Sequence, residues 1–494
     1  MLFNSPEFIF IFLPATLLGW YFLARNGPCR SAVVWLVLAS LIFYGWWNPK
    51  YLVLIGVSMA FNFLVGKRLS APADGAGGRG LLVFGVAANL ALLGFFKYTN
   101  FFVENINAAT GLAWPVPGIV LPLGISFFTF QQIGYLVDAK RGITREYRFA
   151  DYCLFVTFFP QLIAGPIVHH KDILPQFKRP ELFTFDPAGF GAGVTWFTIG
   201  WFKKAVLADG ISAFVSPVFS GAAEGVMPGF WSAWGAALAY TCQIYYDFSG
   251  YSDMAIGLGL MCGIRIPMNF NSPYQASDII DFWRRWHITL SAFLRDYLYI
   301  PLGGNRLGKG RRYLNLFLTM LLGGIWHGAG WTFLAWGALH GVYLLVNHAW
   351  NDFRGSDRPP PGWFGRIGAR SAAFVAVVVG WVFFRADGLP SAARILSAMA
   401  NPAQAGFCLA EARSALPQIA WTVALLSWAW FAPGTRDWMA GAAEFLPKPK
   451  QLAPKWLAAW FWRPGPLWAA ITAVIFLVAL MHLSRVTEFL YFQF

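Results

Sequence analysis

The chain of 494 residues is 57% hydrophobic and only 12% charged, with a net charge of +14 and a mean hydropathy of +0.52. A soluble globular protein carries roughly 25% charged residues, so this composition excludes an ordinary water-soluble enzyme. The positive charge sits in short connectors and not in a long polar tract, which argues against a nucleic-acid partner.

In chain order, apolar blocks occupy residues 8–24, 31–47, 51–66, 81–96, 230–245, 372–384 and 467–483. Several approach the length needed to cross a hydrocarbon core. With the weaker blocks, roughly ten to thirteen membrane segments are expected, some of them tilted or re-entrant. Lipid cannot satisfy backbone polar groups, so such blocks must be helices. The expected fold is all-α and polytopic.

Residues 1–10 contain no basic side chain and so lack the charged start of a signal peptide. Glu7 precedes the first block, whereas Arg25 and Arg30 follow it. The positive-inside rule then puts the N-terminus outside and the loop with Arg25 and Arg30 in the cytoplasm, as it does the loop with Lys67, Arg68 and Arg79. Further basic connectors carry Lys140, Arg141, Arg145 and Arg148, then Lys203 and Lys204, then Lys309, Arg311 and Arg312. They read as cytoplasmic loops facing anionic membrane lipid, with a site for an anionic substrate as the other reading. Cysteines 29, 153, 242, 262 and 408 have neither disulfide nor metal spacing, so no metal site is expected. The polar, Pro-rich stretches 354–365 and 447–454 are too short to fold alone. One membrane domain over 1–494 is expected, with a peripheral helical hairpin after Arg385. No internal repeat is evident, which argues weakly against many transporter folds.

Between residues 245 and 345 polar, charged and aromatic residues interleave with apolar ones. Polar groups at membrane level are costly, so their density marks a functional region. In the segment 278–300, Ser277 is placed to cap a helix whose first turn holds Asp278 and Asp281. Arg284, His287, Ser291 and Arg295 then follow at steps of three, four and four, which stacks them on one helical face. An interfacial amphipathic helix with snorkelling arginines fits this pattern as well as a site does. His287, centred between two arginines, is the feature that reading handles poorly; nearby positive charge would keep it neutral and able to accept a proton.

The segment 314–345 reads as two apolar halves broken by Gly323-Gly324-Ile325-Trp326-His327-Gly328-Ala329-Gly330-Trp331. His327 sits at the break, glycines permit close approach of backbone or ligand, and Trp326 and Trp331 can wall a narrow passage. His340, thirteen residues on, is either a second pocket residue or a packing residue. His169 and His170 are expected at a loop end or the membrane interface. His348 and His482 have no comparable setting. No nucleophile elbow, catalytic cysteine motif, zincin motif or phosphate loop is present. A neutral histidine can act as general base towards a hydroxyl, so these residues alone indicate a proton-handling site in a membrane pocket.

Four stretches resemble the membrane-bound O-acyltransferase (MBOAT) family, and most of all its bacterial branch of alginate, exopolysaccharide and peptidoglycan O-acetylation proteins. They are Tyr246-Asp247-Phe248-Ser249-Gly250-Tyr251-Ser252-Asp253-Met254-Ala255, Asn269-Phe270-Asn271-Ser272-Pro273-Tyr274, Phe282-Trp283-Arg284-Arg285-Trp286-His287 continuing through Arg306, and Trp326-His327-Gly328-Ala329-Gly330-Trp331. Phe3-Asn4-Ser5 and the terminal residues 488–494 also look like this branch. The resemblance implies a many-helix fold around a tunnel, in a bacterial inner membrane. It further implies an acetyl group taken from cytoplasmic acetyl-CoA with no permanently bound cofactor, and delivery through separate periplasmic acetyltransferase or esterase-like partners. His327 matches the signature histidine and His287 the second characteristic polar position. Arg284, Arg285, Asn305, Trp326, Trp331 and His340 are the accompanying candidates for substrate binding. The core motif region is 245–345, and the stretch 385–466 is the least typical. A polymer other than alginate, such as peptidoglycan, a lipid or protein acceptor, and a transporter or flippase without acyl chemistry stand as alternatives.

Overall fold

The structure is a computed structural model and describes all residues except 72–75, 145–147, 356–361, 405–408, 446–460, 484–489 and 491–494; the side chains of 76–77, 404, 409–414 and 443–445 are also left aside. Arg145, Cys408, the stretch 447–454 and the terminal motif apart from Leu490 therefore lie outside the described residues.

The described residues form helices and loops, with no strand among them. Among the described residues, four helices are long and apolar enough to cross a membrane: Phe8–Asn26, Lys50–Ser70, Gly78–Thr110 and Trp363–Arg385. The number rises to six if two bent pairs, Pro187–Ser212 with Ser216–Ala223 and Ala415–Phe431 with Thr435–Ala442, are each one span. Hydropathy gave a higher expectation because it also scores short elements. Cys29–Gly45 has 17 residues and Pro466–Leu480 has 15; at ~1.5 Å per residue neither reaches ~30 Å.

The long helices turn apolar side chains outward and polar ones inward. Leu18, Phe22, Val53, Val57 and Leu64 are exposed, whereas Asn62 and Asn89 are buried. Asn62 and Asn89 exchange amide hydrogen bonds of 3.1 and 2.7 Å between two of these helices. Polar pairing of this kind joins helices where lipid, as apolar as leucine, gives no hydrophobic drive.

The chain divides into two compact units. The first comprises Met1–Trp201, Tyr251–Met268 and Met439–Leu483. Its aromatic nucleus includes Phe3, fully buried and stacked 4.6 Å from Tyr251. In the same unit His170 stands at a loop end, opening the short helix His170–Ile173, and is buried: its Nε2 lies 2.6 Å from Thr144 Oγ1 and its Nδ1 3.7 Å from Asp138.

The second unit comprises Phe202–Gly250, Asn269–Trp438 and Ser484–Phe494. It holds the helices Gly308–His327, Trp331–Arg354 and Trp363–Arg385. The first two pack glycine against glycine. A Cβ built on Gly324 would come within 2.5 Å of the Phe333 carbonyl and 2.9 Å of Gly337 Cα. The expected peripheral hairpin after Arg385 is corrected here. The helix Leu409–Phe431 is tied into the motif region, because Tyr246 donates a 2.8 Å hydrogen bond to the Leu425 carbonyl and Gln275 one to that of Ala432.

Candidate functional site

The segment 278–300 is not one helix. Asp278, not Ser277, is the cap: its carboxylate accepts the Asp281 N–H at 2.8 Å, while Asp281 accepts the Ser277 N–H at 3.1 Å. This reciprocal capping starts the helix Ile279–Arg285. The chain then straightens at Trp286 and enters the left-handed region at His287, with φ 43° and ψ 55°. A second short helix, Ile288–Leu294, and a π-helical turn, Arg295–Tyr299, follow. The expected single face of Arg284, His287, Ser291 and Arg295 is therefore not formed.

A histidine in this conformation carries backbone strain, and something must over-determine it. Asn269 does so. Its backbone carbonyl accepts the Ile288 N–H at 3.0 Å, and its Oδ1 lies 2.9 Å from His287 Nδ1. Oδ1 also accepts from the Thr289 N–H and hydroxyl, at 3.3 and 3.0 Å. Since a backbone N–H can only donate, Oδ1 is the acceptor and His287 Nδ1 carries the hydrogen. The bare nitrogen of the neutral ring is then Nε2, which has no hydrogen-bond partner among the described residues. Phe248 packs on the ring at 4.8 Å and 87°. His287 is fully buried and outside every candidate span, and burial pushes it down to about 3. Burial, and not the arginines, keeps it neutral: Arg284 is exposed and Arg285 is held by Asp281 at 2.9 Å.

His327 is the last residue of Gly308–His327, and the break spans Gly328–Gly330. Gly323 and Gly324, expected in the break, are helical. The imidazole lies among the rings of Trp326, Trp336 and Phe384 at 5.0, 5.1 and 5.3 Å. Trp326 is buried beside it and Trp331 is 52% exposed; Trp336 and Phe384 also line the imidazole.

His340 is fully buried, with Trp336 at 4.9 Å, Trp283 at 5.3 Å and Tyr343 at 5.5 Å. Neither ring nitrogen has a hydrogen-bond partner among the described residues. Gly380 makes room for it, since a Cβ there would lie 2.7 Å from His340 Nε2. Trp336 thus touches both His327 and His340. His287 joins this group through Trp286, which stacks on Phe282, which in turn faces His340 at 6.3 Å. Asn305 is brought to none of the histidines; it is exposed in the turn before Gly308–His327, and the neighbouring Gly304 carbonyl is bound by buried Asn315 at 3.0 Å. Lys309 and Arg312 pair with Asp352 at 3.7 and 3.0 Å.

Lys204 is not a loop residue. It is completely buried, 2.7 Å from Asp209 and 2.7 Å from Asp247. Asn269, Trp336, Phe384 and this ionic group were not singled out from sequence, although Asn269 and Asp247 stand inside quoted motifs.

The fold and site define a helical membrane protein whose interior holds histidines, tryptophans and a charged cluster. A family model described as MBOAT, membrane-bound O-acyltransferase family, matches residues 133–356. The peptidoglycan O-acetyltransferase of Helicobacter pylori is 45% identical over 81% of this chain and 80% of its own. The probable alginate O-acetylase of Pseudomonas putida is 41% identical over 100% of both chains. The teichoic acid D-alanyltransferase of Streptococcus thermophilus is 30% identical over 46% of this chain and 57% of its own. The chain belongs to the membrane-bound O-acyltransferase family, as its motifs indicated, and is an O-acyltransferase.

Proposed function

We propose that this enzyme takes acetyl from cytoplasmic acetyl-CoA and passes it across a bacterial inner membrane for O-acetylation of an exported polysaccharide of the alginate kind. The observation that carries the polymer is the match to the probable alginate O-acetylase along all of both chains, the atypical C-terminal stretch included. The peptidoglycan reading is kept because the Helicobacter pylori relative is 45% identical over most of its length. Family membership favours acyl chemistry over a transporter or flippase.

In this reading ten to thirteen segments, short and re-entrant ones among them, surround a tunnel, with the basic loops in the cytoplasm. His327 is the general base that guides the transfer, and His287, whose bare Nε2 accepts a hydrogen bond and so does not polarise a carbonyl, positions the acyl donor. Trp326, Trp336 and Phe384 keep water from the reacting centre, so the acyl group is not lost to hydrolysis. Arg284 and the Lys309–Arg312 group attract the donor's phosphates. His340, behind Trp336, supports the His327 wall. Separate periplasmic partners place the acetyl group on the polymer. Mass spectrometry of surface polymers from strains with and without the gene tests the proposal. Acetyl ester lost from exopolysaccharide alone supports it; loss from peptidoglycan alone overturns it for the second reading.

A further inference from the structure

Lys204, Asp209 and Asp247 have side-chain exposures of 0%, 4% and 2%. Burying three charges is costly, and such groups add little stability over an apolar replacement; they impose one definite arrangement instead. What they arrange is a helical turn. Lys203 and Lys204 lie on the π-helical segment Lys203–Ala208, whose wider turn shifts the register of the side chains that follow. Both lysines reach the same run of residues. Lys203 Nζ stands 6.0 Å above the Tyr245 ring, and Lys204 pairs with Asp247. Tyr246, between them, is fixed through its hydroxyl to the Leu425 carbonyl. Phe248, the residue after Asp247, packs on His287.

We propose that the buried Lys204–Asp247 pair is a positioning device for His287, acting through Phe248. A helix held at Asp247 cannot rotate without carrying Phe248 off the imidazole, because adjacent residues differ by a fixed angle about the axis. Asn269 sets which nitrogen of His287 carries hydrogen, and Phe248 sets the plane of the ring. The proposal rests on the role of His287 given above.

Two readouts on the full-length chain in native membrane vesicles test it. The first is the rate at which His287 is modified by diethylpyrocarbonate, followed by mass spectrometry, which needs no assumption about the reaction. Asp247→Asn and Phe248→Leu each accelerate modification severalfold, and the double variant is no faster than the faster single one. The second is acetyl-CoA consumption: Asp247→Asn lowers kcat on the order of 10²-fold with KM unchanged, as expected for a misplaced group. Asp247→Glu, which keeps the charge, recovers most of the loss. Lys204→Gln, which removes the positive charge, serves if Asp247→Asn does not accumulate, with the same non-additivity towards Phe248→Leu. Effects that multiply in the double variant, or unchanged His287 labelling, overturn the proposal. Accelerated labelling in the variants, with a wild-type protein that itself consumes no acetyl-CoA, upholds it and overturns the reading of function instead.

Discussion

Asn269 Oδ1 lies 2.9 Å from His287 Nδ1 and also takes the Thr289 N–H, so the amide oxygen cannot be exchanged for nitrogen and the imidazole must donate to it. The tautomer of a buried histidine is thereby fixed by a residue eighteen positions earlier in the chain. Losing such an orienting partner typically costs ~10–100-fold in activity at sites where it has been measured for metal-bound histidines. Asn269→Ala is expected to lower acetyl transfer within that range while the protein still accumulates. Asn269→Asp, which keeps an acceptor against Nδ1, is expected to lose less. Initial rates of acetyl-CoA consumption in vesicles check both; equal losses would show that only packing is involved.

The His327 variants separate chemistry from structure. A positioned general base contributes roughly 10²–10⁴-fold, so His327→Gln is expected to reduce polymer acetylation by that order at unchanged protein level. His340→Phe fills a similar space among Trp283, Trp336 and Tyr343 and removes two nitrogens that have no partner among the described residues. It is expected to retain more activity than His327→Gln. Acetyl ester content of the exported polymer, normalised to membrane accumulation, is the measurement; normal content with His327→Gln would remove it from the reaction.

The pattern of residue types made some of this legible. The apolar blocks could be read because lipid leaves helices as the only economical backbone, and His327 because glycines crowd a histidine inside such a block. The bend at His287 could not. Helical periodicity treats position 287 like any other, and the left-handed turn is imposed by Asn269 across space. Lys204 reads as half of a loop dipeptide until Asp247, on another helix, is beside it. Trp336 and Phe384 were hidden for the same reason: each is one more aromatic in an apolar helix, and only packing brings them to His327. Trp331, nearer to His327 in sequence than either, starts a new helix and is half exposed.

Acid should weaken the fold through two histidines outside the candidate spans. Burial holds His170 at about 4 and His287 at about 3, against an ordinary value of 6.5. The unfolded chain therefore binds protons that the folded chain refuses. Stability is fully present above about pH 6.5 and declines as pH falls towards the folded values, by about 1.4 kcal/mol per unit for each histidine. Thermal inactivation in detergent is expected to accelerate from pH 7 to pH 5. His170→Asn should flatten that slope, whatever it does to stability at neutral pH. A slope identical to wild type would assign the acid sensitivity elsewhere.

The glycine contact beneath His327 gives the most direct steric test. Gly324→Ala puts a methyl group 2.5 Å from the Phe333 carbonyl and 2.9 Å from Gly337 Cα, and both are backbone. No side-chain rotation relieves that clash, so the helices Gly308–His327 and Trp331–Arg354 must separate. Overpacking typically costs ~1–3 kcal/mol, which lowers membrane accumulation and displaces His327 relative to Trp336. Gly310→Ala, with nothing within 4 Å of the added carbon on the same helix, is the matched control and is expected to be silent. If Gly324→Ala accumulates and transfers acetyl as well as Gly310→Ala does, the close packing of these two helices is not what holds His327 in place.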